Sequence, residues 1–199
     1  MCVLLVAALA AEAASAQSLE RLKALAVSAQ SFRADFTYTV SSVHWDDRQV
    51  SSGSLVLQGM QYRIDTSTET IITHGPDMYV YRPLENQVLI TTGEHIYSLS
   101  TLFGDFEEYY KVTETRPATY DGARHFAVRL APRDDESSLR EVTLWIRAAD
   151  DMVTRILSVD VNDTTMDFEL TSIDLNPEIT SDTFALPFPE SAEVIDLRS

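Results

Sequence analysis

The stretch from Ser52 to Ile90 constrains this chain most. It holds three segments rich in β-branched and aromatic residues: Leu55-Val56-Leu57 through Tyr62-Arg63-Ile64, Ile71-Ile72 through Tyr79-Val80-Tyr81, and Gln87-Val88-Leu89-Ile90. Gly75-Pro76-Asp77 and Arg82-Pro83-Leu84-Glu85-Asn86 punctuate them, which predicts consecutive antiparallel strands. Apolar residues fall on both alternating sets: Val56 lies between Leu55 and Leu57, and Met78 and Val80 interleave with Tyr79 and Tyr81. Such a sheet must cover both faces, or leave one greasy surface for a ligand.

The rest of the chain extends the pattern. Leu19 to Ala29 has the period of a helix, with Leu19, Leu22, Leu25 and Ala26 on or near one face. Phe32 to Val40 alternates with period two, as a strand with one buried face does. His44 to Ser52 reads as a polar turn. Ile96, Leu99, Leu102, Phe103, Phe106 and Tyr110 recur at helical spacing, predicting one or two short helices over 96–110. Strands are expected again over 125–131, 141–147, 153–161 and 165–173, joined by short links that fit hairpins. An antiparallel sheet of about nine strands tends to curl. Its few helices would then lie inside the curl or across its mouth, over an apolar cavity. The expected fold is mainly β, an incomplete barrel with a helical lid.

Length fits one domain, 17–199, after a signal peptide over 1–16. The apolar run Val3 to Ala11 and the small residues Ala14-Ser15-Ala16 form a cleavage pattern. Only Met1 and Cys2 precede the run, where a basic stretch belongs, so either the signal is atypical or the true start lies upstream, the second being the favoured expectation. Cleavage would remove Cys2, the single cysteine, leaving neither disulfide nor thiolate. A soluble exported protein is the expectation.

Acidic residues number 31 against 15 Lys and Arg, a net charge of −16. Such a surface repels nucleic-acid phosphates and anionic headgroups. It suits a carrier that must stay in solution, and a halophilic source would produce the same excess. Nothing points to an enzyme or a cofactor. His44-Trp45-Asp46-Asp47 lacks further spaced ligands and reads as a solvated loop rather than a metal site. His74, His95 and His125 stand singly, and no serine sits in a Gly-x-Ser-x-Gly context.

Several segments, taken together, resemble a known family. Ser31 to Thr37 looks like an opening strand of the periplasmic outer-membrane lipoprotein carriers, the LolA family. Gly53-Ser54-Leu55 with Tyr62-Arg63-Ile64, and His74 to Tyr81 followed by Gln87-Val88, resemble its next strands. Asp182 to Pro189 with Glu193-Val194-Ile195-Asp196 is similar to its C-terminal signature. Two departures stand out. Gln58-Gly59-Met60-Gln61 occupies the place of an Arg-Pro pair whose arginine latches the lid, and Tyr79 replaces a tryptophan.

The resemblance implies a monomeric periplasmic shuttle without cofactor. Its partners would be acylated lipoproteins, an inner-membrane lipoprotein-releasing transporter and an outer-membrane lipoprotein receptor. Acyl chains would line up against Phe36, Tyr38, Leu55, Leu57, Tyr62, Ile64, Val80, Leu102, Phe103, Phe106, Val142 and Leu144. A non-shuttling lipid-binding sensor or structural module on the same fold is the alternative, followed by an exported lipid-modifying enzyme.

Overall fold

A computed structural model describes residues 17–74, 76–92, 106–186 and 188–198, without the side chains of 45–47, 74 and 181. Helix α1 (17–28) precedes β1 (Ser31–Ser42), β2 (Trp45–Gln58), β3 (Gln61–Thr66), β4 (Thr70–His74), β5 (Asp77–Arg82) and β6 (Gln87–Thr92). Then come α2 (Phe106–Tyr109), β7 (Tyr110–Tyr120), β8 (Ala123–Pro132), β9 (Leu139–Arg147), β10 (Val153–Asp160) and β11 (Thr164–Leu175). A single 3-10 turn (Ser181–Phe184) and β12 (Glu193–Asp196) complete the described chain. The strand order is β12-β6-β5-β4-β3-β2-β1-β11-β10-β9-β8-β7, one sheet with two free ends and therefore not a closed barrel. The expected mainly-β class, with a sheet that stops short of a barrel, holds.

Four details differ from the sequence reading. The segment 44–52 is not a polar turn: β2 begins at Trp45, and the turn is only 43–44. Its exposed residues have no hydrophobic alternation, yet the strand forms because β1 supplies its hydrogen-bonding neighbour. Arg48 Nη2 donates to Thr39 Oγ1 at 3.3 Å across that hairpin. The segment 110–120 is a strand, β7, that the sequence did not reveal. It lies at the sheet edge, mostly exposed, so it need not alternate, and Pro117 together with a bulge between Val112 and Glu114 keeps the edge from accepting another strand. Tyr110 accordingly starts a strand and α2 stops at Tyr109. Finally, β12 runs parallel to β6, where the sequence reading expects an antiparallel meander. The expected helix over 96–105, the signal peptide over 1–16, and Cys2 and His95 lie outside the described residues.

By packing the chain separates into two compact units, the first holding 17–28, 37–50 and 106–170, the second 29–36, 51–92 and 171–198 of the described residues. In the first, α1 buries Ser18, Leu19, Leu22 and Ala26, the i, i+3, i+7 stripe expected of an amphipathic helix. Strand β8 is buried on both sides from His125 to Val128, making it the centre of this unit. The β7–β8 hairpin closes on Asp121-Gly122, both at positive φ, the requirement of a type I′ turn.

In the second unit β2 is buried at Leu55, Val56 and Leu57 alike, so both faces of its sheet are covered there. One face packs on the C-terminal segment: Val56, Ile72 and Phe184 form a buried cluster with Ile179 against it. Phe188 stacks on Tyr79 and meets Tyr81, with centroids 6.3 and 6.2 Å away. Arg63 clamps Asp65 with two hydrogen bonds and donates to the Thr183 carbonyl at 3.1 Å, fixing the segment to β3.

Gly53 is where the second unit has least room. A Cβ there would sit 2.0 Å from the Asp65 carbonyl oxygen and 3.1 Å from the Phe36 ring. Because the obstacle is backbone, no side-chain rearrangement relieves it. Gly53→Ala is expected to destabilise the protein by about 3 kcal/mol, the upper range for overpacking, read as a lowered urea midpoint with unchanged m-value.

Candidate functional site

Cross-strand pairing decides which side chains share a face, because opposed residues of neighbouring strands project the same way. In the second unit the register pairs Leu55 with Ile64, Ile64 with Ile71, Ile71 with Val80 and Val80 with Leu89. Leu57 pairs with Tyr62, and Thr73 with Met78, on the same face. Phe36 belongs there too, since its ring lies against the Cβ position of Gly53, two residues before Leu55. Phe36, Leu55, Leu57, Tyr62, Ile64 and Val80, all expected lipid contacts, thus come together on one face, opposite the face closed by Phe184 and Phe188.

That face is apolar with few polar atoms. The Tyr62 ring reaches over β4, and its hydroxyl donates to the Met78 thioether at 3.1 Å. The Thr73 hydroxyl accepts from the Tyr62 amide at 2.8 Å. Leu55, Leu57 and Tyr62 are buried, whereas Ile64, Ile71, Val80 and Leu89 are only half-buried. Ile71, Met78 and Leu89 escaped the sequence reading, although period-two alternation carried through the hairpins would have found them.

In the first unit, Val142 and Leu144 are buried on β9. They pair with Leu130 and Val128 of β8, and the row continues from Leu144 through Ile156 to Phe168. The Tyr38 ring is 6.1 Å from that of Phe168. Phe106 is buried, with the Lys23 ammonium 5.6 Å from its ring. Lys23 also pairs with Glu107 at 2.8 Å, so α1 and α2 are joined by both contacts. Leu102 and Phe103, expected beside Phe106, lie outside the described residues.

The opposite face of the first unit is polar and aromatic. Arg155 lies 4.9 Å from the Tyr120 ring and 5.5 Å from that of Trp145, and pairs with Asp167 at 2.6 Å. Burial, with the neighbouring Glu169 carboxylate, pushes the Tyr120 phenol up to about 12. His125 donates from Nδ1 to the Ala123 carbonyl at 3.0 Å and meets Thr154 Oγ1 at 2.9 Å through Nε2. Both ring nitrogens are thereby used structurally. Among the described residues no group of three His, Cys, Asp or Glu is placed to hold a metal ion, and no helix is long and apolar enough to cross a membrane.

Asp151 fastens α1. Its left-handed backbone (φ 59°) turns the carboxylate toward the helix, where Ser18 and Arg21 donate to it, Arg21 through both Nε and Nη2. Burial raises the carboxyl pKa, but the Arg21 and Ser18 hydrogen bonds outweigh it and hold the group below the usual range. A depressed folded pKa means stabilisation that is complete above the ordinary Asp value of about 3.9 and fades as pH falls through the folded value. Asp151→Asn is therefore expected to lower the urea midpoint at neutral pH, with the gap to the parent narrowing below about pH 4.

The profile of a family described as outer membrane lipoprotein carrier protein LolA matches residues 27–187. No curated protein matches by sequence. Among solved structures, an uncharacterized conserved protein from Thermus thermophilus is similar at 12% identity and TM-score 0.60, over 92% of this chain and 99% of that one. LprF from Mycobacterium bovis is similar at 14% identity and TM-score 0.52, over 89% and 98%. A LolA superfamily protein from Nitrosomonas europaea, at 12% identity, covers 86% and 97% with a TM-score of 0.48. At these identities the likeness to the first two is one of fold.

Proposed function

The chain belongs to the LolA family, and from that premise we propose that it is a periplasmic carrier that holds the acyl chains of lipoproteins and passes them from the inner to the outer membrane. The observation that carries the reading is the half-buried aliphatic face of the second unit, built from Leu55, Ile64, Ile71 and Val80. Aliphatic side chains left half in water by the fold gain free energy when a ligand covers them, at about 25 cal/mol per Å². The face offers neither a nucleophile nor a metal cluster, which supports binding rather than turnover.

The energetics explain why a carrier is needed at all. Each CH₂ taken into water costs about 0.8 kcal/mol, so a free lipidated protein crosses an aqueous gap negligibly slowly. A carrier offsets that cost and still hands over its load if the acceptor binds more tightly. Donor and acceptor are then the lipoprotein-releasing transporter and the outer-membrane receptor that serve the proposed role. An expelled signal over 1–16 is the export route that this reading requires.

Titration with a triacylated lipopeptide is expected to give saturable binding. Ile71→Asp, which puts an unpaired charge in the middle of the aliphatic face, should weaken it by about 2 kcal/mol or more. Absence of saturable binding by the parent protein would overturn the proposal.

A further inference from the structure

The aliphatic face has a direction. Leu55, Ile64, Ile71, Val80, Leu89 and Ile195 are each paired with the next across β2, β3, β4, β5, β6 and β12. Six strands thus contribute one residue each to an unbroken row, with neither an aromatic nor a polar side chain in it. Five interstrand steps of about 4.8 Å make the row about 24 Å long. That exceeds the ~15 Å of one leaflet's hydrocarbon, half of a ~30 Å bilayer core.

The two ends of the row differ. At the β2 end Leu55 is buried, and Leu57 and Tyr62 beside it are buried as well. From Ile64 onward every member is half-buried. At the β12 end the row runs out at the sheet edge, where Glu193 and Asp196 are exposed and Gln87 bonds to Glu193 at 3.3 Å. One end is dry and apolar, the other wet and polar.

We infer that this row is a track for a single long, extended acyl chain lying across the strands, with its methyl end at Leu55 and its polar head leaving over the β12 edge beside Ile195. The inference rests on the acyl-binding reading above and adds orientation and length preference to it. Chains shorter than the row engage only its inner strands. Longer chains then reach the aliphatic side chain of one strand after another, each spanned by several CH₂ groups, until they arrive at β12. The C-terminal strand is accordingly part of the binding surface, not only an edge cover.

The test uses the full exported chain and a series of single-chain lysophospholipids stepped from short to long. For the parent, affinity is expected to rise about fourfold per CH₂ and to level off once the chain outruns the row. Ile195→Ser is expected to cost the longest chains about tenfold and to leave the short ones unchanged. Val194→Ser, on the same strand but the opposite face and already exposed, should change neither and controls for damage to β12. Equal losses at every length in Ile195→Ser, or equal effects of the two variants, would overturn the track while leaving acyl binding intact. No saturable binding of any length by the parent would overturn both.

Discussion

Antiparallel register is the constraint on which the rest of this structure depends. Side chains alternate with period two, so a slip of one residue in any hairpin would transfer Leu55, Ile64, Ile71 or Val80 to the opposite face. Register is pinned at the turns. Gln58 pairs with Gln61 across Gly59-Met60, with Gly59 at φ 59°, the first central position of a type II′ turn. A glycine adopts that left-handed φ freely, whereas a residue with a side chain would hold it only under strain.

The opposite face of the second unit's sheet carries apolar side chains as well. There the chain covers itself: Phe184 and Phe188 settle on Val56, Ile72, Tyr79 and Tyr81. The segment is then secured by polar means. Arg63 holds the Thr183 carbonyl, Asn86 Nδ2 donates to the Ser191 carbonyl, and the Glu193 amide donates to the Asn86 carbonyl. Asp65 is kept ionised despite partial burial by hydrogen bonds from Arg63 and Thr70. On the other face Phe36 and Tyr62 stand beside the central row, and the row itself is purely aliphatic.

Much of this was legible in the sequence, and the exceptions share a cause. Phe36, Leu55, Leu57, Tyr62, Ile64 and Val80 could be named because burial imposes a pattern on strands that pack against something. Their common face could not be settled, since Tyr79-Val80-Tyr81 is apolar at every position and parity follows from hairpin register rather than composition. The strands that escaped, β7 and the first half of β2, are largely exposed and polar. Their hydrogen bonds come from the adjoining strand across a two-residue turn, β1 for β2 and β8 for β7, and such pairing leaves no periodic trace. Ile195 escaped for a further reason: only the parallel pairing of β12 with β6 brings it into the row.

A carrier that binds too well cannot deliver, and the aliphatic face is consistent with that limit. Its row is half-buried before any ligand arrives, so covering it gains less than burying fully exposed side chains would. Its nearest polar atoms, the Tyr62 hydroxyl and the Thr73 hydroxyl, already have partners within the sheet, so a ligand gains little from them. Affinity then grows almost entirely with apolar contact, which is the same currency in which a membrane or an apolar receptor surface competes. Nothing directional needs to be broken for release. In the proposed role, the net charge of −16 of the full sequence would add a second bias, against settling on anionic headgroups.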